Sequence, residues 1–210
     1  QARDTVLVAL EDAALTFGIP VRYFQEVIDG VEMDLTRTRF QSFDELRGYA
    51  YKVASTVGLI CIEVFGYEDA RAKEYAIDLG IAMQLTNILR DIKEDAQRGR
   101  IYIPLDEMGS YGYSESDLMN GTVNDAFRAL MRFQAERARG YFVSGSRLMP
   151  LLSSGSRACP TVLHGVYSAI LDRIERSGFD VFEKRIGLSS LEKILITAKL
   201  WSGILVPAIP

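Results

Sequence analysis

The 210 residues carry a net charge of −4 and are 48% hydrophobic and 25% charged, ordinary values for a globular chain with a core of its own. The acid excess disfavours broad nucleic-acid binding, no stretch is read as a membrane span, and the polar start Gln1-Ala2-Arg3-Asp4-Thr5 does not resemble a signal peptide. Cys61 and Cys159 lie far apart and outside any metal-binding pattern, which suits a reducing, cytoplasmic compartment and predicts a buried structural thiol at each position.

Helical periodicity dominates the chain. Residues 5–17 place apolar side chains at helical spacing and stop at Gly18-Ile19-Pro20. Pro20 is positioned to open a second helix, with Tyr23, Phe24, Val27 and Ile28 on one face. Gly30 and Val31 to Leu35 lead into a polar Thr-Arg stretch. Ser42, followed three residues later by Glu45, predicts a capped start for a helix that runs to Phe65 and ends at Gly66. Residues 68–95 predict a second long helix, closed by Gly99 and Pro104.

Residues 98–112 read as a loop, and Ser114 to Asp117 restart a short helix. A helix with a basic side spans 124–148, Pro150 to Ser156 connect, and 161–176 form a helix stopped by Gly178. The last helix begins at Ser189 or Ser190. The run from Ile194 to Pro210, apolar except for Lys199, predicts a core-facing helix plus tail, with peripheral membrane contact as the second reading. Strand pairs and repeats are not visible. The expected fold class is all-α, one domain over 1–210 with seven or eight helices.

One stretch carries chemistry. Gln84, Asn87, Asp91 and Asp95 follow one another at spacings of three and four, which stacks them on one helix face. An isolated pattern of this kind also describes a solvated helix end. The apolar, small segment Leu79-Gly80-Ile81-Ala82-Met83 just upstream argues instead for burial, and buried amides and carboxylates need partners. Oxygen donors suit a hard cation, so Mg²⁺ bridged by a diphosphate is the natural ligand. Arg90 and Arg98-Gly99-Arg100 add guanidinium forks shaped for phosphate.

Upstream, Ala50, Ala54, Ser55 and Gly58 either let a neighbouring helix approach or leave room for a long apolar ligand, with the polar tip of Tyr49 reaching in. His164, the sole histidine, sits among Val162, Leu163 and Val166 and reads as a packed or capping residue. No hydrolase triad, phosphate-loop or dinucleotide fingerprint is present, and NADPH is not indicated.

The pattern Q-x-x-N-x-x-R-D-x-x-E-D over 84–95, followed by R-G-R-I-Y-I-P, resembles the squalene/phytoene synthase family. Residues 49–58, Y-A-Y-K-V-A-S-T-V-G, are similar to the family's tyrosine-bearing helix, with Ser55 where glycine is common, and Val166 to Ile174 to its C-terminal helix. The resemblance implies an isoprenoid synthase-type helical bundle around a central apolar cavity. It implies a prenyltransferase that joins two isoprenoid diphosphates head-to-head through a cyclopropylcarbinyl diphosphate. Asn87, Asp91 and Asp95 are then implied as Mg²⁺ ligands, Gln84, Arg90 and Arg185 as substrate or diphosphate contacts, and Tyr167 as a neighbour of a substrate diphosphate. Tyr49 is implied as the proton-handling residue, and Ala54 and Val57 as substrate contacts.

The family also carries a first acidic motif on a facing helix, which neither Glu11-Asp12 nor Asp29, Glu32 and Asp34 match. Residues 1–210 are therefore expected to be the C-terminal three-quarters of a longer synthase domain, weak or inactive on their own. Residues 57–67 look more like bacterial squalene-pathway members, which favours two farnesyl diphosphates over two geranylgeranyl diphosphates. Other readings are a prenyl diphosphate phosphatase or a non-catalytic assembly protein on the same scaffold.

Overall fold

Apolar residues at helical spacing generate helices throughout the computed structural model, which describes residues 5–205, with residues 201–205 described by backbone alone. Among the described residues there are eleven α-helices and no strand. The first, α1 (Thr5–Thr16), buries none of its side chains. Pro20 stands just before α2 (Val21–Thr36), which continues past Gly30. A Cβ at Gly30 would lie 2.8 Å from Lys52 Cβ and Val53 Cγ1, so the glycine marks a close helix crossing.

Ser42 caps α3 (Phe43–Ala50) by accepting the Glu45 N–H at 3.4 Å. The Glu45 carboxylate accepts the Gln41 N–H at 2.9 Å, one residue earlier than a standard capping box requires. From α3 the chain passes without a stop through a π-helical turn, Tyr51–Ser55, into α4 (Thr56–Phe65). The Thr56 N–H bonds back to Tyr51 O, which also accepts the Thr56 hydroxyl at 2.9 Å. A π turn holds one extra residue, so it re-aims every side chain after it relative to Tyr49. An 18-residue window within Phe43–Phe65 reaches a mean hydropathy of 1.2, long and apolar enough by length and composition alone to cross a membrane, where the sequence reading found no such stretch; a core helix meets the same measure.

The central helix, α5 (Ala72–Arg90), buries Leu79, Gly80, Ile81, Ala82, Leu85 and Leu89 and packs most extensively on α9 (Asp125–Gly145). Two glycines allow close approaches to α5, Gly80 to the π-helical turn and Gly145 from α9. A Cβ on Gly80 would fall 2.5 Å from Ser55 Cα and 2.7 Å from Ser55 N, and one on Gly145 would fall 2.9 Å from the Leu79 backbone. Ser55 is fully buried, and its hydroxyl donates to Ile77 O at 2.8 Å across this crossing. The small residues thus divide between both roles open to them: Ser55 serves helix packing, while Ala54 and Gly58 face a cavity.

The predicted helix over 68–95 is two helices, α5 and α6 (Ile92–Gln97), separated at Asp91. Short helices α7 (Leu105–Ser110) and α8 (Glu115–Met119) add to the expected seven or eight. Asn124 caps α9 by accepting the Phe127 N–H at 2.9 Å. Two 3₁₀ turns, Ser146–Leu151 and Ser154–Ser156, lead to α10 (Ala158–Arg176), which starts three residues earlier than expected because its first turn tolerates Pro160. The final helix, α11 (Ser190–Leu205), is not core-facing. It lies on α10, with Leu200 against Gly165, and leaves Leu191, Ile194 and Leu195 exposed. The predicted tail, 206–210, falls outside the described residues.

Gly80→Ala should lower stability by about 1–3 kcal/mol, because backbone rather than a flexible side chain occupies the added methyl's space. Gly155→Ala, with nothing within 4 Å, should change it by less than about 0.5 kcal/mol. Urea unfolding of the two variants checks the contrast.

Candidate active site

Gln84 and Asn87 on α5, Asp91 at its end and Asp95 on α6 line one polar pocket of about 380 Å³. Asp91 departs from helical geometry, with φ −102° and ψ 13°. Even so, its N–H bonds Asn87 O and the Asp95 N–H bonds Asp91 O, each at 2.9 Å. The stack of oxygen donors therefore survives the break. Adjacent residues do not face each other on a regular helix. Here Arg90 donates Nε and Nη2 to the two Asp91 oxygens at 2.9 and 2.5 Å. Arg185, from the loop after α10, donates Nε and Nη2 to Asp91 Oδ1 at 3.1 and 2.9 Å, and its Nε stands 3.4 Å from Glu94 Oε1.

The two aspartates are driven in opposite directions. Burial pushes Asp91 upward, but the Arg90 and Arg185 guanidiniums outweigh it and hold the carboxyl below the usual range. Asp95 is raised to about 6, first by burial and then by the Asp91 charge, against the pull of Arg98 and Arg100. Among the described residues, no hydrogen bond to the Asp95 carboxylate is found. Asn87 Oδ1 and Glu94 Oε2 are buried with no hydrogen-bond partner.

Such orphaned acceptors call for a donor or a cation. No cluster of three or more His, Cys, Asp or Glu forms a cage among the described residues. As oxygen donors lining one pocket, Asn87, Asp91 and Asp95 fit a hard cation that would keep part of its shell for water and phosphate, as Mg²⁺ does.

Tyr49 closes one side of the pocket. Its hydroxyl donates to Asp34 Oδ1 at 2.9 Å, and the Tyr102 hydroxyl donates to the same oxygen at 3.1 Å. The Tyr49 and Tyr102 rings lie 5.5 Å apart, with Phe40 5.3 Å from Tyr49. Burial, then Tyr102 and Asp34, raise the Tyr49 phenol, so it stays protonated. Arg100 does not line the pocket; its Nη2 donates to Asp34 O at 2.8 Å and fixes the loop that carries Tyr102.

An apolar cavity of about 270 Å³ shares Gln84 and Asn87 with the polar pocket and runs between α4 and α5, with Ala54 and Val57 in its wall. Both cysteines also line it, Cys61 half-buried and Cys159 exposed. Neither is the buried structural thiol predicted, because each faces open cavity rather than packed core. His164 is a packing residue: Nε2 lies 3.2 Å from Phe142 O and its ring meets Phe142 edge-on at 5.3 Å.

Of the residues singled out from sequence, the fold gathers Tyr49, Gln84, Asn87, Arg90, Asp91, Asp95, Arg98 and Arg185 around the polar pocket. Tyr167, half-buried on α10, lies close enough to Arg90 to act on its charge but does not line the pocket. Asp34, Glu94 and Tyr102 were not singled out. Asp34 was weighed only as part of a first acidic motif, and nothing local in the sequence ties it to Tyr49 or Tyr102.

Because the folded pKa of Asp95 is raised, the stability it contributes is present below about pH 4 and lost as pH rises through about 6. Asp95→Asn should flatten that fall and, without divalent cations, stabilise the protein by about 1 kcal/mol at pH 7.5. Urea unfolding across pH 4–7.5 measures it; parallel curves for the two proteins would contradict the burial assigned to Asp95.

The family model for squalene/phytoene synthase matches residues 1–192. The chain is 40% identical to a 15-cis-phytoene synthase of Synechocystis over 96% of its own length and 63% of that protein. It is 41% identical to a phytoene synthase of Mycobacterium tuberculosis over 93% of its length and 66% of that protein. The chain thus spans about two thirds of the length of these relatives. A crystal structure of a dehydrosqualene synthase superposes with a TM-score of 0.88 at 26% identity, covering 97% of this chain and 72% of that one. A squalene synthase from Alicyclobacillus acidocaldarius superposes with 0.79 at 26% identity over 82% and 65%. With its all-α bundle and the acidic stack at Asn87, Asp91 and Asp95, this chain belongs to the squalene/phytoene synthase family.

Proposed function

We propose that the chain carries the diphosphate-ionising centre of a head-to-head prenyltransferase. The observation that supports this reading most strongly is the junction of an oxygen- and arginine-lined pocket with an apolar cavity at Gln84 and Asn87. That junction suits a molecule with a diphosphate head and a hydrocarbon tail. Residues 57–67 alone favour farnesyl diphosphate. Phytoene synthase relatives at 40 and 41% identity, against 26% for the squalene-type structures, move the reading to two geranylgeranyl diphosphates and a phytoene-type C40 product.

In this mechanism Asn87, Asp91 and Asp95 would hold Mg²⁺. Bound there, the ion would supply Lewis-acid neutralisation of the diphosphate's charge. Arg90 and Arg185, now spent on Asp91, are placed to shift onto diphosphate oxygens, and Arg185 is the more exposed of the two. The apolar wall of Ala54, Val57 and Leu79 keeps water from the carbocation. Cyclopropane closure releases a proton from carbon. Tyr49 Oη takes it up as its own proton passes to Asp34 Oδ1, 2.9 Å away. A raised phenol makes this concerted exchange necessary, since a free phenolate is not populated.

Product analysis of the protein's full natural chain with Mg²⁺ and geranylgeranyl diphosphate tests the reading. A C40 hydrocarbon or its cyclopropyl precursor is expected, and Asp91→Asn should reduce it at least ~100-fold. Free geranylgeraniol alone would mean a phosphatase, and no Mg²⁺-dependent binding of substrate would mean a non-catalytic protein. Tyr49→Phe should slow formation of the cyclopropyl product about 100-fold while leaving substrate binding within about threefold of wild type, since only the proton route is removed. Rapid-quench turnover beside equilibrium binding separates the two effects.

A further inference from the structure

Resting on that reading, we propose that α4 measures the prenyl chain, one helical turn per isoprene unit, and that Phe65 is the stop that sets its maximum length. The cavity has a direction. Gln84 and Asn87 belong to it and to the polar pocket, so they mark the diphosphate end. From there the π turn and α4 run beside α5: Gly80 abuts Ser55 and the Ala54 carbonyl carbon, and Gly58 abuts the Ala76 carbonyl. From Asn87 to Ala76 the α5 wall advances eleven residues, about 16 Å at 1.5 Å per residue.

Farthest along α4 from Gln84 and Asn87, the wall includes Phe65, the last residue of α4, and buried Leu148 from the turn after α9 also lines the cavity. That end is anchored by backbone. Ser156 Oγ donates to Phe65 O at 3.0 Å, the Ser153 N–H to Gly66 O at 3.1 Å, and the Glu68 N–H to Leu151 O at 3.2 Å. The backbone that carries Phe65 is therefore held by the connector that follows α9.

The opposite wall repeats at intervals of three and four residues: Ala54 in the π turn, then Gly58, Cys61 and Phe65 on α4. One turn of α-helix advances 5.4 Å. An isoprene unit contributes four main-chain bonds, about 5 Å at the roughly 1.2 Å per bond of an extended chain. Four wall positions thus match the four units of a geranylgeranyl chain, the last ending at Phe65. A farnesyl chain ends one turn earlier, at Cys61. Side-chain size at Cys61 and Phe65, rather than the diphosphate pocket, then decides the longest tail accepted.

The test is calorimetric binding, with Mg²⁺, of uncleavable thiolodiphosphate analogues bearing C15, C20 and C25 chains to the full natural chain. Cys61→Phe should weaken C20 at least tenfold relative to C15. Phe65→Ala should strengthen C25 at least tenfold relative to C20, and Cys61→Leu should fall between wild type and Cys61→Phe. Thermal unfolding identifies folded variants; if Cys61→Phe does not fold, the other two decide. Unchanged C15:C20:C25 ratios in folded variants that bind would overturn the ruler and leave the prenyltransferase reading standing. No binding of any analogue by wild type would overturn both.

Discussion

The site depends on how closely α5 can cross the π-helical turn between α3 and α4. Gly80 rests against the Ser55 backbone, where even a methyl group would collide, and the Ser55 hydroxyl is spent on the Ile77 carbonyl. This contact sets α4 alongside α5 and leaves a slot lined by Ala54 and Gly58 rather than a filled interface. The extra residue of the π turn keeps Tyr49 on the polar side and hands Ala54 and Val57 to the apolar side. One helix crossing thereby joins a charged pocket to a hydrocarbon cavity.

Electrostatics then prepare the pocket for a ligand of mixed charge. Asp91 is kept ionised by two arginines, while Asp95, one turn on, is pushed up to about 6 by burial and by Asp91 itself. A cation between them would remove the strain that raises Asp95 and would also satisfy Asn87 Oδ1. Arg90 and Arg185 would then be released toward phosphate oxygens. The Arg90–Asp91 and Arg185–Asp91 pairs are the internal contacts that, on the proposed reading, a metal diphosphate would replace.

The sequence made the acidic stack legible because its signal is local: Gln84, Asn87, Asp91 and Asp95 are stacked by helical periodicity alone, and the break at Asp91 preserves the hydrogen bonds that maintain the stacking. The all-α class and the Ser42 and Asn124 helix starts were legible for the same reason. Long-range pairings were not. Asp34 meets Tyr102 across 68 residues and Tyr49 across 15, and no periodicity links them. Cys61 and Cys159 were misread because composition reports apolar neighbours without saying whether those neighbours pack or enclose space. The outward face of α11 was misread because an apolar run alone does not say which surface it lies against.

The central claim is that one molecule occupies the polar pocket with its head and the apolar cavity with its tail. Cys61, in the cavity wall and clear of the acidic stack, reports this directly. Its alkylation by N-ethylmaleimide, followed by mass spectrometry, should slow at least tenfold when geranylgeranyl thiolodiphosphate and Mg²⁺ are both present. Inorganic diphosphate with Mg²⁺ should give no protection, and Asp91→Asn should abolish it. If Cys61 reacts at the same rate with and without the bound analogue, head and tail do not share this site and the account is wrong.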